Sequence, residues 1–189
     1  MKKYLLILVI FFCFSISHAQ FIKERSIDAS IGYGLSFPYD DVDVFGDGFY
    51  IQGEYVMMVS NWLDLRSYAG FIFTGESSSQ TLPEEFKATA NAFLFGGKAR
   101  ITAPIPYFAP YIELGLGGSI GKFETITPFT NKQQSGLLFH IPFSIGAELG
   151  RDHAINIEFT YYFHNSVEQF NGAFAIGFSF PLNQGNDDD

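Results

Sequence analysis

Three groups of residues in this 189-residue chain have types and spacings that could do chemistry. The first is a set of charges, Asp28, Glu54, Asp64, Arg66, Lys98, Arg100, Glu113, Glu148 and Glu158, spread singly through apolar and small-residue runs. Such charges on one surface can form a buried ion-pair network, or, because the acids outnumber the bases, line a gated cation path. The second is His164-Asn165-Ser166 with Glu168 nearby. A histidine base, a serine nucleophile and an acid that orients the imidazole are the parts of an acyl-transfer site. The third is the acidic stretch from Tyr39 to Gly48, where Asp40, Asp41, Asp43 and Asp47 stand beside glycines as in a calcium loop. The full spacing ending in a bidentate glutamate is absent there. The plainer readings are a structural network, a chance tripeptide and a solvated acidic loop.

Other chemistries are poorly supplied. His18, His140, His153 and His164 are scattered without metal-ligand spacing. Cys13, the single cysteine, falls inside the apolar run of about thirteen residues from Tyr4 to Ile16. That run follows Lys2-Lys3 and precedes Ser17-His18-Ala19, so residues 1–19 read as a signal peptide cleaved after Ala19. It is shorter than the roughly 20 residues a helix needs to cross a bilayer. Cleavage removes the cysteine, leaving no disulfide and no thiolate. It also takes the 11 basic residues to 9 against 20 acidic ones, a net charge of −11. Nucleic acid is excluded as a partner by that balance, and no cofactor and no enzymatic activity are expected.

The elements that must position these residues follow from a period of two. Over 26–37 the odd positions are Ile27, Ala29, Ile31, Tyr33, Leu35 and Phe37, and the even ones are Ser26, Asp28, Ser30, Gly32, Gly34 and Ser36. The same two faces recur over 49–59, 63–73, 93–101, 111–120, 137–148, 155–163 and 173–180, which predicts eight strands. Each run is about ten residues, the length of a tilted strand crossing a bilayer. Aromatics at 18% exceed charged residues at 16%, which suits a surface that meets lipid. A soluble barrel would bury the apolar face and leave the Gly, Ser and mixed charges unexplained. Turned outward, the apolar face meets lipid and the small and charged residues fill a narrow lumen. The predicted fold is therefore all-β, a closed eight-stranded antiparallel transmembrane β-barrel over 20–180, with 181–189 as a short acidic tail.

Connections add to this. Long loops are expected at 38–48, 74–85, 121–134 and 164–169, and tight turns at 60–61, 103–106 and 150–153. An even strand count places both termini on the short-turn side, in the periplasm. The aromatics of the 121–134 loop, Phe123 and Phe129, with Ile126, either are exposed to bind a partner, sugar or lipopolysaccharide or pack over the barrel mouth. Pro142 inside the sixth run removes a ladder hydrogen bond, so a bulge or shifted register is expected there.

The chain resembles the small outer-membrane β-barrel proteins of the OmpA/OmpX-like, porin-family type. Gly96-Gly97-Lys98-Ala99-Arg100, Pro110-Tyr111-Ile112-Glu113-Leu114-Gly115-Leu116-Gly117 and a last strand ending on Phe180 carry the resemblance. It implies residence in a bacterial outer membrane, contact with outer-membrane lipid and lipopolysaccharide, and the outer-membrane assembly machinery as a partner that reads the final strand. The expected role is structural or surface-interacting, with the lumen plugged by Glu54, Arg66, Lys98, Arg100, Glu113, Glu148 and Glu158. The alternatives are a narrow channel for small solutes or ions and, third, a lipid A-modifying hydrolase. His164-Asn165-Ser166 is similar to the His-x-Ser of lipid A deacylase barrels, but Val167 replaces the usual asparagine.

Overall fold

A computed structural model describes residues 22–77 and 86–182. The expected signal peptide and the residues from 183 onward lie outside that range. Eight strands follow in order: β1 (Glu24–Pro38), β2 (Phe45–Ser60), β3 (Leu63–Ser77), β4 (Lys87–Thr102), β5 (Tyr107–Ile126), β6 (Asn131–Gly150), β7 (Ile155–His164) and β8 (Gln169–Pro181). Each pairs antiparallel with its neighbour in sequence, and β1 pairs with β8 from Ser26↔Pro181 to Pro38↔Gln169, closing the barrel. Closure leaves no sheet edge around the wall.

Two faces decide the orientation of every strand. Ile31, Phe49, Phe71, Leu116, Phe139, Ile145 and Phe178 point outward and are exposed, Phe139 at 81%. Inward residues of the same strands, Ser30, Tyr50, Ile72, Ser119, His140, Ser144 and Gly177, are buried. Outward apolar residues cover the whole girth, far more than the patches of a few hundred Å² that water-soluble monomers expose. The surface is suited to hydrocarbon, and the interior is where polar groups are hidden.

The strands reach further than the periodic runs indicate. Only 39–44 connects β1 to β2, and only 127–130 connects β5 to β6. The long loops expected at 38–48 and 121–134 are therefore mostly strand. Gly46 and Gly48, which read as turn punctuation, are inside β2. A Cβ at Gly46 would strike the Ala88 and Gly75 carbonyl oxygens, and one at Gly48 the Phe73 carbonyl. These glycines permit close approach of backbones. In β5 the inward parity simply continues, so Phe123 is fully buried rather than displayed, while Ile126 is half-buried and Phe129 is exposed.

Pro142 does not shift the register. The pairs Leu114↔Phe143 and Gly117↔His140 keep the same frame, as do Ile141↔Phe163 and Pro142↔Tyr162 on the other side. Pairing with β5 instead lapses opposite Gly115 and Leu116, and the strand continues through the gap. The ladder to β7 ends at Ile141↔Phe163, so Asn131–His140 of β6 pair with β5 alone. The register irregularity lies elsewhere, between Met58 and Ser60 of β2.

Candidate functional site: the lumen

The lumen has two storeys. The one nearer the termini is ionic. Strand register places Asp28 opposite Glu54, Asp64 opposite Arg100, Arg66 opposite Lys98 and Arg100 opposite Glu113. Like charges placed directly opposite destabilise a sheet, and here each such pair is bridged from a third strand. Arg66 Nη1 donates to Asp28 Oδ2 at 2.6 Å and to Glu54 Oε2 at 2.9 Å, resolving the first clash. Its Nη2 reaches Asp64 at 3.3 Å and Glu148 at 3.5 Å. Lys98 Nζ pairs with Glu54 Oε1 and, at 2.6 Å, with Glu113 Oε2.

Arg100 completes the network. Its Nε donates to Glu113 Oε1 at 2.5 Å and its Nη1 to Glu148 Oε1 at 2.7 Å, while its guanidinium lies 3.6 Å from the Tyr111 ring centre. Of the seven network residues expected from sequence, six are joined by ion pairs: Glu54, Arg66, Lys98, Arg100, Glu113 and Glu148. Asp28 and Asp64 join them through Arg66. Glu158 is brought into the same layer without a partner of its own. Below the network, a cavity of about 580 Å³ lined by Arg25, Asp64, Arg66, Glu148, Arg151 and Asp152 opens toward the termini.

The second storey is aromatic and aliphatic, and sequence reasoning missed most of it. Tyr50, Tyr68, Ile72, Leu94, Phe123, Leu138, Tyr162 and Val167 pack together in the lumen. All but Val167, which follows β7, occupy inward strand positions; an inward-pointing large residue on consecutive strands was the available signal. Tyr50 Oη lies 2.8 Å from Tyr162 Oη, and Tyr162 donates to Gln52 Oε1 at 2.7 Å. Gln52 Nε2 then donates to Glu54 at 2.7 Å, tying the two storeys together. A buried polar chain threads the upper one. Tyr68 Oη meets His140 Nε2 at 2.5 Å, and Ser119 Oγ lies 2.6 Å from His140 Nδ1 and 2.7 Å from His164 Nε2. Asn171 Nδ2 is 3.0 Å from His164 Nδ1, and its Oδ1 accepts from Ser36 Oγ at 2.6 Å.

That chain uses up His164. Its imidazole is fully buried in the lumen, whereas Ser166 is exposed in the short 3-10 turn Asn165–Val167, its carbonyl accepting from Gln134 Nε2 at 3.3 Å. Glu168 is engaged by Lys132 Nζ at 2.6 Å and Thr130 Oγ1 at 3.3 Å. The ammonium of Lys132 holds the Glu168 carboxyl below its ordinary range. Base, nucleophile and acid are thus not brought together.

The acidic loop is likewise dispersed. Asp40 accepts from Thr127 Oγ1 at 2.5 Å, and Asp47, within β2, is bonded by the Tyr33 hydroxyl. Tyr39 links its loop to the 3-10 turn through Asn165 Oδ1 at 2.8 Å. Together these bonds fold three connections across the barrel mouth.

No protein-family model and no curated protein matches the sequence. Among solved structures, Neisserial surface protein A is similar with a TM-score of 0.60 at 8% identity, over 84% of this chain and 97% of that one. The outer membrane protein OprG from Pseudomonas aeruginosa matches with a TM-score of 0.50 at 9% identity, over 85% and 98%. At such identities the likeness is one of fold, and it spans nearly the whole length of both relatives. By its closed wall, its strand order and these likenesses, the chain has the fold of the small eight-stranded outer-membrane β-barrels.

Proposed function

We propose that the protein is an integral barrel of a bacterial outer membrane, exported through a cleaved signal peptide, with a non-catalytic structural or surface-interaction role. The observation that carries this reading is a lumen filled from wall to wall by the Arg66–Lys98–Arg100 ion network and the aromatic layer above it. An eight-stranded barrel is only just wide enough for its own side chains, and here those side chains are large and mutually bonded. The apolar wall contacts outer-membrane lipid and lipopolysaccharide, and β8, ending near Phe180, is the segment offered to the assembly machinery. Exposed groups at the mouth, Phe129 foremost, are what a surface partner meets.

Planar-bilayer recording tests it. The refolded protein is expected to insert without steady conductance. Reproducible single-channel steps would instead favour the narrow-channel reading, for which the cavity of about 580 Å³ at the terminal end is the supporting feature.

A further inference from the structure

We propose that the outer wall holds one amide-linked hydroxyacyl chain of lipid A in a groove between β4 and the turn after β7, an inference that rests on reading the barrel as integral to the outer membrane. The groove, about 830 Å³, runs from Phe95 over Gly118 to Phe139 and Phe163 and ends on Asn165 and Ser166. That volume is within the roughly 300–1,000 Å³ of small-molecule sites. Strand register sets Phe95, Gly118 and Phe139 in one row across β4, β5 and β6. A Cβ at Gly118 would meet Phe95 Cζ at 2.9 Å and Leu137 Cδ1 at 3.2 Å, so both side chains settle against bare backbone and leave a depression beside them. Buried Leu138 and His140 back the groove, which makes it a feature of the wall and not an entrance to the lumen.

Two properties single this stretch out from the rest of the lipid-facing wall. First, β6 has lost its neighbour. The ladder to β7 ends at Ile141↔Phe163, and among the described residues no backbone hydrogen bond ties Leu137–His140 to the Asn165–Val167 turn. On that side β6 presents N–H and C=O groups with no strand to meet them, and hydrocarbon has no water to do so. Second, the polarity is graded. Phe95, Phe139 and Phe163 are apolar, while at the mouth-side end the Ser166 hydroxyl and the Asn165 amide nitrogen have no partner among the described residues. Ser166 accepts from Gln134 only through its carbonyl, and the Asn165 side chain is met only at Oδ1, by Tyr39. An outer-leaflet lipid has the same order, polar toward the mouth and apolar below. The free carbonyls of β6 also choose between lipids, because they need donors. An amide-linked hydroxyacyl chain brings an N–H and an O–H beside its carbonyl, whereas ester-linked phospholipid chains bring acceptors alone.

The test uses the full mature chain refolded in detergent, mixed with purified lipid A and read by native mass spectrometry, with phosphatidylglycerol in a parallel arm. Heat-dependent gel mobility confirms that each variant is folded. Wild type is expected to retain one lipid A per barrel, and Gly118→Leu, which drives Phe95 and Leu137 into the groove, to bind it more weakly by about threefold or more. Gly53→Leu adds the same side chain to the outward face of β2, between the paired Ala29 and Ala69, and should retain as much as wild type. If Gly118→Leu does not fold, Ser166→Leu at the polar end decides by the same criterion. Equal retention by wild type and the deciding variant overturns the proposal, as does no retention of lipid A or equal retention of phosphatidylglycerol. Insertion into phospholipid vesicles is scored separately: failure to insert overturns the membrane reading, whereas a barrel that inserts and retains no lipid A overturns this site alone.

Discussion

Replacing Arg66 with methionine removes the one cation that stands between Asp28 and Glu54. Methionine replaces the aliphatic stem but not the buried guanidinium, so the change removes charge and hydrogen bonding together with that group's volume. Asp28 would keep Ser26 Oγ at 3.1 Å and Ser179 Oγ at 2.6 Å, and Glu54 would keep Lys98 and Gln52. Neither acid is wholly abandoned, but two carboxylates directly opposite in the β1–β2 register would face each other unscreened. Charge-assisted hydrogen bonds contribute about 1.5–3 kcal/mol each, and removing one partner of a buried pair costs about 3–5 kcal/mol. Since the two acids retain other donors, a loss of about 4 kcal/mol is expected and not the sum over every contact. Urea unfolding of the barrel refolded in lipid vesicles, read by heat-dependent gel mobility, measures it. The companion variant Arg66→Met with Asp28→Asn should recover about half of the loss, because the clash is gone. If Arg66→Met unfolds within about 1 kcal/mol of the parent, the ion layer is not what holds the terminal half of the lumen.

Further outcomes follow from the wall, the upper layer and the mouth. Leu114→Arg, on an exposed outward position of β5, should destabilise the vesicle-embedded barrel by about 2–4 kcal/mol, while Lys122→Ala, one pleat repeat beyond Ile120, should change little; the same urea assay compares them. Phe123→Ala should cost about 3–5 kcal/mol through the cavity it leaves among Leu94, Leu138 and His164, and an equally stable variant would mean that the aromatic layer is loosely packed. The Glu168 carboxyl is held low by Lys132, so the clamp contributes at and above the carboxyl's unfolded value and is lost as pH falls through its folded value. Amide protection of Tyr39, whose N–H donates to the Glu168 carbonyl at 2.9 Å, should fall on that acid side once the intrinsic pH dependence of exchange is divided out, and Lys132→Met should move the midpoint upward. A pH-independent protection factor would uncouple the clamp from the mouth.

Much of this architecture is written in alternation. Ser26 to Phe37 and Ile155 to Phe163 announce both their faces, and the inward charges follow by parity without any knowledge of the partner strands. What alternation does not carry is the pairing itself. That Arg66 bridges Asp28 and Glu54 depends on the register of three strands, and that Glu158 is left over depends on four. Strand ends were also hidden. Gly46, Gly48 and the Thr- and Gln-rich stretch around Thr125 have loop-like composition, and only the neighbouring backbones show that they are extended. The upper layer went unread because Tyr50 and Tyr162 sit next to outward aromatics, which masks the alternation where both faces are bulky.

The β6 strand is tied unevenly along its length. Its seam with β5 lapses at Ile141 and Pro142, and its seam with β7 begins only there. A load that tries to splay the wall would concentrate on that one stretch, much as a zipper parts at a missing tooth. The rest of the circumference, stitched from β7 through β8 and β1 to β5 with one register irregularity between Met58 and Ser60, would hold its curvature as a single sheet. In mechanical terms the protein is a hoop with one designated place to give, and rupture, if forced, would run upward from Pro142 toward the mouth.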